Sequence, residues 1–367
     1  MTKTNIVIGA GLTGAVIANL LATLKNEKVL VVDRRTNVGG NCYDYRDKSG
    51  VMVQRHGSQV FHTSDERVWN YLKHFTDFNQ YMHENVVIVD GIEVTFPFNL
   101  QTLHELFPVS LANRLEEKLL AEFKYNQTVT VAELKIKKDE DLKFLANYID
   151  ENIVTPMNLK KWGPSAKNIK HAKPAILISN DSRAYRDKYQ GIPLDGYTAM
   201  IERMLIHPNI QLRLGIDHKE ISAKFDRVFY TGSIDEYFNY ELGQLPYRSL
   251  VFKVEEHETD YYQSNAVIEY PTNYDFAKVH EYKHYLNDKT SKTIIAKEYI
   301  TNFELGRTDR YFPIPTDDNI ALYNKYLEKA KELKNVYFLG RLGDYKNYEI
   351  DEMVARAIEV IEKLGKN

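Results

Sequence analysis

NIVIGAGLTGAVIANLLATLKNEKVLVVDRR, residues 5–35, is the stretch that decides the fold. It opens with a short apolar run, Ile6–Ile8, and continues into a G-x-G-x-x-G turn and a helical pattern of small and apolar residues. Gly9 permits a sharp turn off the strand, Gly11 lets the backbone approach a pyrophosphate, and Gly14 lets the helix pack on the strand. The free N–H groups and the dipole at the helix N-terminus favour an anion there. The stretch therefore predicts a dinucleotide-binding turn between a strand and a helix.

The residues after the turn indicate which dinucleotide is held. A second strand, 28–32, ends in Asp33, close to the spacing of about 20 residues at which a carboxylate meets a ribose hydroxyl. The acid, the arginines after it and the Gly39-Gly40 pair resemble flavoproteins of the glutathione-reductase type, which favours FAD. No second G-x-G-x-x-G occurs in the sequence, so it offers no built-in NAD(P)H site. The cofactor-binding residues predicted from this region are Gly9, Gly11, Leu12, Thr13, Gly14, Asp33, Arg34, Gly40 and Asn41.

Later segments fit a nucleotide-binding fold that is interrupted and then resumed. Asp226–Gly232 is strand-like and runs into a Thr-Gly turn, and Asn335–Arg341 is a strand-like run before a helix over about 351–364. That helix could direct the positive end of its dipole at the flavin. Between these parts, Thr102–Asn147 has a helical leucine pattern, and Tyr247–Glu304 alternates as an antiparallel sheet does.

The predicted fold class is α/β, an FAD-binding Rossmann-like domain with an inserted helical bundle and an antiparallel β-sheet domain. The predicted segments are a first FAD-binding part at 1–80, a mainly helical insertion at 81–188 with a mobile loop near 162–185, an FAD-binding return at 189–245, a twisted antiparallel sheet at 246–315 and a C-terminal FAD-binding part at 316–367.

Composition narrows the function classes. Lys and Arg number 48 against 51 Asp and Glu, and the net charge of -3 gives no general attraction to nucleic acid or to an anionic membrane. Cys42 is the one cysteine, which excludes an internal disulfide and a zinc-type Cys/His spacing. No apolar run approaches the length of about 18 residues that a membrane-spanning helix needs. We expect a cytoplasmic protein without a metal site.

Short motifs spread over nearly the whole chain carry a resemblance to a known family. In chain order they are Gly57–Thr63, Phe96–Asn99, Lys161–Gly163, Tyr189–Pro193, Gly196–Tyr197, Tyr247–Leu250, Lys297–Tyr299 and Gly340–Leu342. Together they resemble the UDP-galactopyranose mutases. The resemblance implies the FAD-binding domain, helical bundle and sheet described above, with a nucleotide sugar bound between them near the flavin. It also implies a homodimer.

The resemblance implies a reaction as well. Members of the family convert UDP-galactopyranose to UDP-galactofuranose, a precursor for cell-surface polysaccharide, without net redox change. Their flavin must be reduced, because its N5 attacks the anomeric carbon, expels the diphosphate and carries the sugar as an N5-glycosyl adduct until the ring has reclosed. NAD(P)H or another reductant is needed only to prime the flavin.

Carried over position by position, the resemblance assigns site residues. His62, Arg341 and Glu298 would be catalytic, although a structural histidine is the alternative for the first. Further cofactor contacts would be Gln59, His62, Gly340, Arg341, Glu349 and Ile350. Substrate contacts would be Met157, Trp162, Lys173, Tyr185, Tyr189, Arg248, Lys278, Tyr311, Tyr345 and Asn347. Of these, Trp162 could instead be a packing residue and Arg248 a structural ion-pair partner.

Departures from the family pattern cluster on the substrate contacts. Lys173 and Lys278 stand where the family has phosphate-binding arginines, and lysine keeps the charge but not the bidentate grip. The other replacements are Met157 and Asn347 for tyrosines, Phe312 for a tyrosine, Gln59 for a histidine and Glu349 for an aspartate. Two alternatives therefore stay open. One is a mutase for another nucleotide sugar, dTDP-fucopyranose or UDP-N-acetylgalactosamine, and the other is an FAD-dependent oxidoreductase of the amine-oxidase or desaturase kind.

Overall fold

The computed structural model of the chain describes residues 3–169 and 175–364. Its strands are β1 Thr4–Ile8, β2 Lys28–Asp33, β3 Asp44–Arg46, β4 Met52–Gln54, β5 Phe61–Thr63, β6 Asn85–Val89, β7 Ile92–Phe96, β8 Thr128–Thr130, β9 Ala175–Leu177, β10 Tyr189–Gly191, β11 Ile210–Leu214, β12 Arg227–Tyr230, β13 Tyr247–His257, β14 Val267–Glu269, β15 Lys278–Glu281, β16 Thr293–Asn302, β17 Phe312–Pro313 and β18 Val336–Phe338. Its helices are α1 Leu12–Leu24, α2 Glu66–Leu72, α3 Leu100–Leu106, α4 Val109–Glu122, α5 Val131–Lys135, α6 Glu140–Ile149, α7 Thr155–Trp162, α8 Gly196–Leu205, α9 Ile234–Tyr237, α10 Lys283–Leu286, α11 Asp317–Ala330, α12 Gly340–Gly343 and α13 Ile350–Lys363.

The nucleotide-binding part is built on a parallel sheet in the order β11-β2-β1-β12-β18. Strand β1 lies in its middle, with Ile6 opposite Leu30 on one side and Val228 on the other. Helices α1, α8 and α13 cover it, and the apolar residues between them are buried. The chain order reverses between β1 and β12, and open parallel sheets bind ligands outside the carboxyl ends of the strands at such a switch point. The structure confirms the predicted Rossmann-like fold, including both late strands and the C-terminal helix.

Two glycines set how closely α1 approaches β1. A Cβ atom on Gly14 would lie 1.9 Å from the carbonyl oxygen of Gly9. Gly9 itself has a φ of +112°, and a Cβ there would lie 2.0 Å from Thr231 Oγ1. Neither position can hold a side chain without moving backbone. The glycine spacing of the sequence is therefore explained by packing.

The helical insertion follows the predicted pattern between residues 100 and 162. Helices α3 to α7 enclose a core of buried leucines, isoleucines and valines. Side chains at the helix starts fix the boundaries: Asp139 accepts from the backbone N–H groups of Asp141 and Leu142 at the start of α6. A π-helical turn, Asp150–Val154, joins α6 to α7. The last turn of α7 thereby reaches Trp162, at the edge of the second sheet.

The second sheet differs from the prediction at one edge. Its order is β17-β13-β16-β15-β14-β6-β7, and all neighbouring strands are antiparallel except β14 and β6. The hairpin β6–β7 comes from the segment assigned to the mainly helical insertion, so that boundary at residue 81 is wrong. The turn residues Asp90 and Gly91 have φ angles of 51° and 81°, and an Asp-Gly pair between strand-like runs is a strong hairpin signal. The missed hairpin extends the sheet over the start of the bundle.

Smaller elements complete the fold. The antiparallel pair β5 and β10 places His62 opposite Gln190, which ties the strand after the first nucleotide-binding segment to the chain that returns from the insertion. Pairs β3–β4 and β8–β9 are also antiparallel. Within the described residues, no helix is both long and apolar enough to cross a membrane.

Replacing Gly14 with alanine should lower the free energy of unfolding by about 1–3 kcal/mol, because the new methyl group forces α1 away from β1. Urea denaturation of the cofactor-free protein measures this. Gly11→Ala is the matched control, since Gly11 has a φ of −77° and its added Cβ would lie at an ordinary 3.5 Å from the Gly40 Cα. We expect that control to stay within about 0.5 kcal/mol of the parent. Equal destabilisation by both changes would contradict the packing explanation.

Candidate active site

A cleft opens at the carboxyl ends of the parallel strands and has a volume of about 1260 Å³, including the part open to solvent. We call it the dinucleotide cleft. The residues predicted from the sequence that line it are Gly9, Gly11, Leu12, Thr13, Gly14, Asp33, Arg34, Gly40, Asn41, Gln59, Gly340 and Arg341. The structure thus brings together parts of the chain from both ends of the sequence at the switch point of the sheet.

The floor of the cleft is glycine backbone. Gly11 forms an isolated parallel bridge with Gly39, whose N–H donates to the carbonyl of Ala10 at 2.9 Å. Gly340 approaches from the other end of the chain, where an added Cβ would lie 3.2 Å from Thr13 Oγ1. The N-terminus of α1 begins at this floor and supplies free N–H groups. This is an anion site for which backbone groups suffice.

Asp33 is fixed at the end of β2. Its Oδ2 accepts from the Ala10 N–H at 2.8 Å and its Oδ1 accepts from the Arg35 N–H at 2.8 Å. An ionised carboxylate has about four acceptor positions, so both oxygens can still accept from a ligand hydroxyl in the cleft. The position predicted for ribose recognition therefore has the chemistry and the rigidity that this role requires.

One wall of the cleft was not identified from the sequence. It contains Ile216, Asp217 and His218 after β11, the turn Thr231–Ser233 after β12, and Glu236, Asp309 and Arg310. Glu236 pairs with Arg310 at 2.8 Å and with Arg34 at 3.2 Å. The sequence feature that could have identified this wall is the end of β11. Its residues 210–214 were not predicted as a separate strand. The Thr-Gly turn after β12 was noted, but its residues were not assigned to the cofactor.

Arg341 stands at the inner end of the cleft. Its guanidinium lies 5.3 Å from the centre of the Tyr311 ring, and its Nη2 donates to the Tyr348 carbonyl at 2.9 Å. Its Nε is buried and has no hydrogen-bond partner among the described residues. The hydroxyl of Tyr311 accepts from the Gln59 side chain at 3.0 Å and donates to the His56 carbonyl at 2.9 Å. These contacts hold an arginine with one unsatisfied N–H at the boundary between the two sheets.

His62 lies outside the lining of the dinucleotide cleft and is fixed on three sides. Its ring stacks on Tyr185 with centroids 3.7 Å apart, its strand pairs with β10, and its Nδ1 lies 2.8 Å from Asp187 Oδ2. Ser64 donates to the other oxygen of that carboxylate at 2.8 Å. With Nδ1 donating to Asp187, the buried Nε2 can act as an acceptor, and no described group forms a hydrogen bond with it. Asp187 was missed, because its partner is distant in sequence.

Glu298 belongs to a buried group of charged and polar side chains. His280 Nε2 lies 2.9 Å from Glu298 Oε2, and Ser58 Oγ lies 2.6 Å from His280 Nδ1. Lys278 Nζ contacts Glu269 Oε1 at 3.1 Å, on the strand beside them. We call Lys278, Glu269, Glu298 and His280 the charged cluster. Its histidine and Glu269 were not predicted from the sequence.

The cluster favours the charged forms of Glu298 and Lys278. Burial alone raises the pKa of Glu298, but the hydrogen bond from His280 and the nearby lysines lower it below its ordinary value. Burial alone lowers the pKa of Lys278, but the carboxylates of Glu269 and Glu298 outweigh burial and raise it. Burial raises the pKa of Tyr185 to about 12, with the charges of Glu349 and Lys278 also acting on it. Strand pairing brings these charges together, since Lys278 lies opposite Glu298 on β16 and opposite Glu269 on β14.

The side chains of Trp162 and Arg248 are both buried. The Trp162 ring is buried edge-on against Phe312, with centroids 5.3 Å apart. Arg248 is buried, contacts the Asn302 side chain, and donates through Nη2 to the carbonyls of Lys160 and Ile300, each at 3.3 Å. It joins the end of α7 to strands β13 and β16. The structural alternative considered for Arg248 therefore has specific contacts, although they are carbonyls and an amide and not an ion pair.

Several predicted substrate residues lie elsewhere. Tyr189 stacks on Trp69 with centroids 4.7 Å apart, on the opposite side of the β5–β10 pair from His62. The Tyr345 hydroxyl is buried, 2.7 Å from the Pro246 carbonyl and 3.1 Å from that of Ile314.

The remaining predicted residues occupy varied positions. Met157 packs partly against the bundle core. Asn347 and Glu349 are exposed before α13, which begins at Ile350. Lys173 lies outside the described residues. Among the described residues, no group of three histidine, cysteine or acidic side chains could hold a metal ion.

Comparisons with known proteins agree with this geometry. Residues 152–347 match the family model for UDP-galactopyranose mutase, and residues 7–75 match that for an NAD(P)-binding Rossmann-like domain. The chain is 32% identical over 375 residues to dTDP-fucopyranose mutase from Escherichia coli, covering 99% of this chain and 98% of the relative. It is 30% identical to UDP-galactopyranose mutase from Mycoplasma genitalium, covering 98% of this chain and 94% of the relative.

The fold agrees as well. The crystal structure of a reduced UDP-galactopyranose mutase matches 100% of this chain and 95% of that chain with a TM-score of 0.72, at 14% sequence identity. The motifs, the dinucleotide cleft and the relatives along the full length of the chain lead to one conclusion: this chain belongs to the UDP-galactopyranose mutase family.

Proposed function

We propose that the protein is a flavin-dependent mutase that converts UDP-galactopyranose to UDP-galactofuranose, for use in cell-surface polysaccharide. The observation that carries the proposal is the meeting of two sites at Tyr311. On one side Tyr311 packs on Arg341, at the inner end of the dinucleotide cleft. On the other its hydroxyl donates to the His56 carbonyl at 2.9 Å, and the next residue, Gly57, lies against Glu298, where an added Cβ would be 3.5 Å from Oε2. A cofactor in the cleft would therefore meet a sugar held at the charged cluster.

The cleft fits FAD. Its glycine floor and the α1 N-terminus accept a pyrophosphate, Asp33 accepts ribose hydroxyls, and the wall around His218 leaves room for an adenine. The buried Arg341 Nε without a partner is directed at the inner end, where a flavin ring would supply an acceptor. Exposed Glu349, at the start of α13, stands beside the same end. The cofactor would bind between residues that the structure already holds in place.

The chain's own residues would orient the sugar and hold the leaving group. When bound and reduced, a flavin supplies an electron-rich nitrogen as nucleophile toward the anomeric carbon. Lys278 would hold the diphosphate by charge, and Tyr185 would border the sugar beside His62. Glu298, kept ionised by His280, would accept a hydrogen bond from a sugar hydroxyl and stabilise positive charge at the ring. His62 Nε2 would accept a proton during ring opening or closure.

A mutase acting on dTDP-fucopyranose is the second candidate. The Escherichia coli relative that covers 99% of this chain bears that name. The substitutions at Met157, Lys278 and Asn347 fall on expected nucleotide and phosphate contacts, where a change of hydrogen-bonding residues alters discrimination strongly. A cytoplasmic location, expected from the sequence, and a homodimer, implied by the family resemblance, remain part of the proposal.

Turnover with reduced and oxidised protein tests the function. FAD-loaded protein reduced with dithionite should convert UDP-galactofuranose to the pyranose, read as ring size by chromatography, while the oxidised protein should be inactive. A parallel series with dTDP-fucopyranose and UDP-N-acetylgalactosamine identifies the preferred donor. Bleaching of the flavin by substrate, with turnover under oxygen and no change in ring size, would establish the oxidoreductase alternative instead.

Replacing Gly11 with alanine should weaken FAD binding by at least about tenfold, because the methyl group occupies the path of the pyrophosphate while the fold has room for it. Flavin retained after gel filtration, and FAD titrated into the cofactor-free protein, measure the loss. Gly91→Ala, at a surface hairpin with open space around it, is the control for handling and expression. Full FAD retention in the Gly11 variant would remove the glycine floor from the cofactor site.

Replacing Asp187 with alanine should lower kcat by at least about tenfold and leave UDP affinity unchanged, because His62 loses the carboxylate that orients its ring. Ser64→Ala is the matched control, since it removes one contact to Asp187 but keeps the contact between Asp187 and His62. Steady-state kinetics of the reduced enzyme and calorimetry with UDP separate the two effects. An equal loss of UDP affinity would show that Asp187 acts in folding or binding rather than in orientation.

A further inference from the structure

Lys161 is a partly buried lysine in the last turn of α7. Its ammonium lies 5.0 Å from the Trp162 ring centre and 5.6 Å from that of Phe312. The neighbouring Lys160 is already engaged, since its ammonium donates to the carbonyl of Phe276 at 2.8 Å and to that of Tyr270. The two adjacent lysines therefore differ in their contacts. Lys160 is hydrogen-bonded to a loop of the sheet, and Lys161 lies over two aromatic rings.

The charge of Lys161 is not neutralised by the protein. Within residues 3–169 and 175–364, no carboxylate lies at ion-pair distance from its ammonium, whereas Lys278 is 3.1 Å from Glu269. Glu298 is likewise committed to His280 at 2.9 Å. Lys278, the lysine expected to bind phosphate, is therefore already paired with a carboxylate of the protein. A diphosphate held by Lys278 alone would meet a cation that shares its charge with a carboxylate.

The end of α7 lies against the start of the strand that carries Lys278, because the neighbouring Lys160 donates to the carbonyl of Phe276, two residues before Lys278. Burial, and after it the charge of Lys278, lower the pKa of Lys161, while Glu269, Glu349 and Glu298 act in the opposite direction. Two lysines that repel each other without a full set of counter-charges favour an anion between them. The aromatic contacts hold the Lys161 side chain and limit the entropy it loses on binding.

We propose that Lys161 is a second diphosphate-binding residue, which acts with Lys278 on the nucleotide sugar from the bundle side of the cleft. The geometry that supports it is an ammonium without a carboxylate partner on the rings of Trp162 and Phe312, in the helical turn that Lys160 ties to the chain just before Lys278. The proposal rests on the proposed function for the identity of the ligand. It assigns a specificity role, because a nucleotide with fewer phosphate charges would gain less from Lys161.

Binding to the oxidised, FAD-loaded protein tests this without turnover. Lys161→Gln should weaken UDP binding by about tenfold to a hundredfold in calorimetry, as expected for the loss of a hydrogen bond to a charged group. Competition by inorganic pyrophosphate should weaken in parallel, and uridine, which lacks phosphate, should bind the variant and the parent alike. Lys161→Arg should restore most of the UDP affinity, because it returns the positive charge.

The matched control is Lys253→Gln. Lys253 also lies over an aromatic ring, at 4.5 Å from that of Tyr299, but on the opposite face of the sheet from Glu298, because Lys253 pairs with Lys297 while Glu298 pairs with Phe252. It should leave UDP affinity unchanged. Loss of uridine and UDP affinity together in Lys161→Gln would overturn the proposal in favour of a packing role for Lys161, as would unchanged UDP affinity.

Turnover distinguishes this inference from the proposed function. Active protein whose UDP affinity does not depend on Lys161 would overturn the inference and leave the mutase function standing. Protein that isomerises no nucleotide sugar, yet binds UDP and pyrophosphate in a Lys161-dependent way, would support the inference and overturn the function.

Discussion

The close contact between α1 and β1 is the constraint on which the rest of the structure depends. Gly14 sits against the Gly9 carbonyl, where an added Cβ would approach to 1.9 Å. This contact places the N-terminus of α1 directly above the end of the central strand. Gly39 and Gly40 from the loop after β2, and Gly340 from beyond β18, can then converge on the same point. A side chain at Gly40 would press on Gly11, and one at Gly340 would press on Thr13, more than three hundred residues earlier in the chain.

The charged cluster depends on a different constraint. Its buried charges are compensated by neighbours within the sheet. Antiparallel pairing puts Lys278 on β15 opposite Glu298 on β16, and β14 brings Glu269 beside Lys278. Each charged group is thus held by a neighbour on an adjacent strand. An isolated buried charge would shift its pKa and neutralise, but here the carboxylate stays ionised next to a cation. The sheet can therefore supply fixed charges to a cleft partly closed to water, where they act more strongly than at the surface.

The sequence predicted the cofactor half of the molecule better than the substrate half, for a physical reason. Phosphate binding at a helix N-terminus depends on backbone and on short local spacings, so Gly9, Gly14 and Asp33 could be read directly. The partners of His62 and Glu298 are Asp187 and His280, which lie far away in sequence and meet them only through strand pairing. No local pattern contains that information.

The same reasoning explains why two residues predicted to bind the substrate have other partners in the structure. The resemblance implies that Tyr345 contacts the substrate, but its hydroxyl donates to two backbone carbonyls. Tyr189 lies on the outer side of the strand pair. By contrast, the β6–β7 hairpin was readable from its Asp90-Gly91 turn and was missed.

Under the proposed function, the two sites hold two different diphosphates. That of the cofactor stays in place, and that of the nucleotide sugar must leave and return. The glycine floor holds a cofactor pyrophosphate by many directed N–H groups, a geometry that permits little movement. In the charged cluster the cation is Lys278, and a lysine ammonium acts as a point charge that can follow a moving anion. Arginine would grip the diphosphate in one bidentate orientation. Under the proposed function, a lysine in place of an expected arginine would retain the attraction that keeps the leaving group nearby and would fix its orientation less.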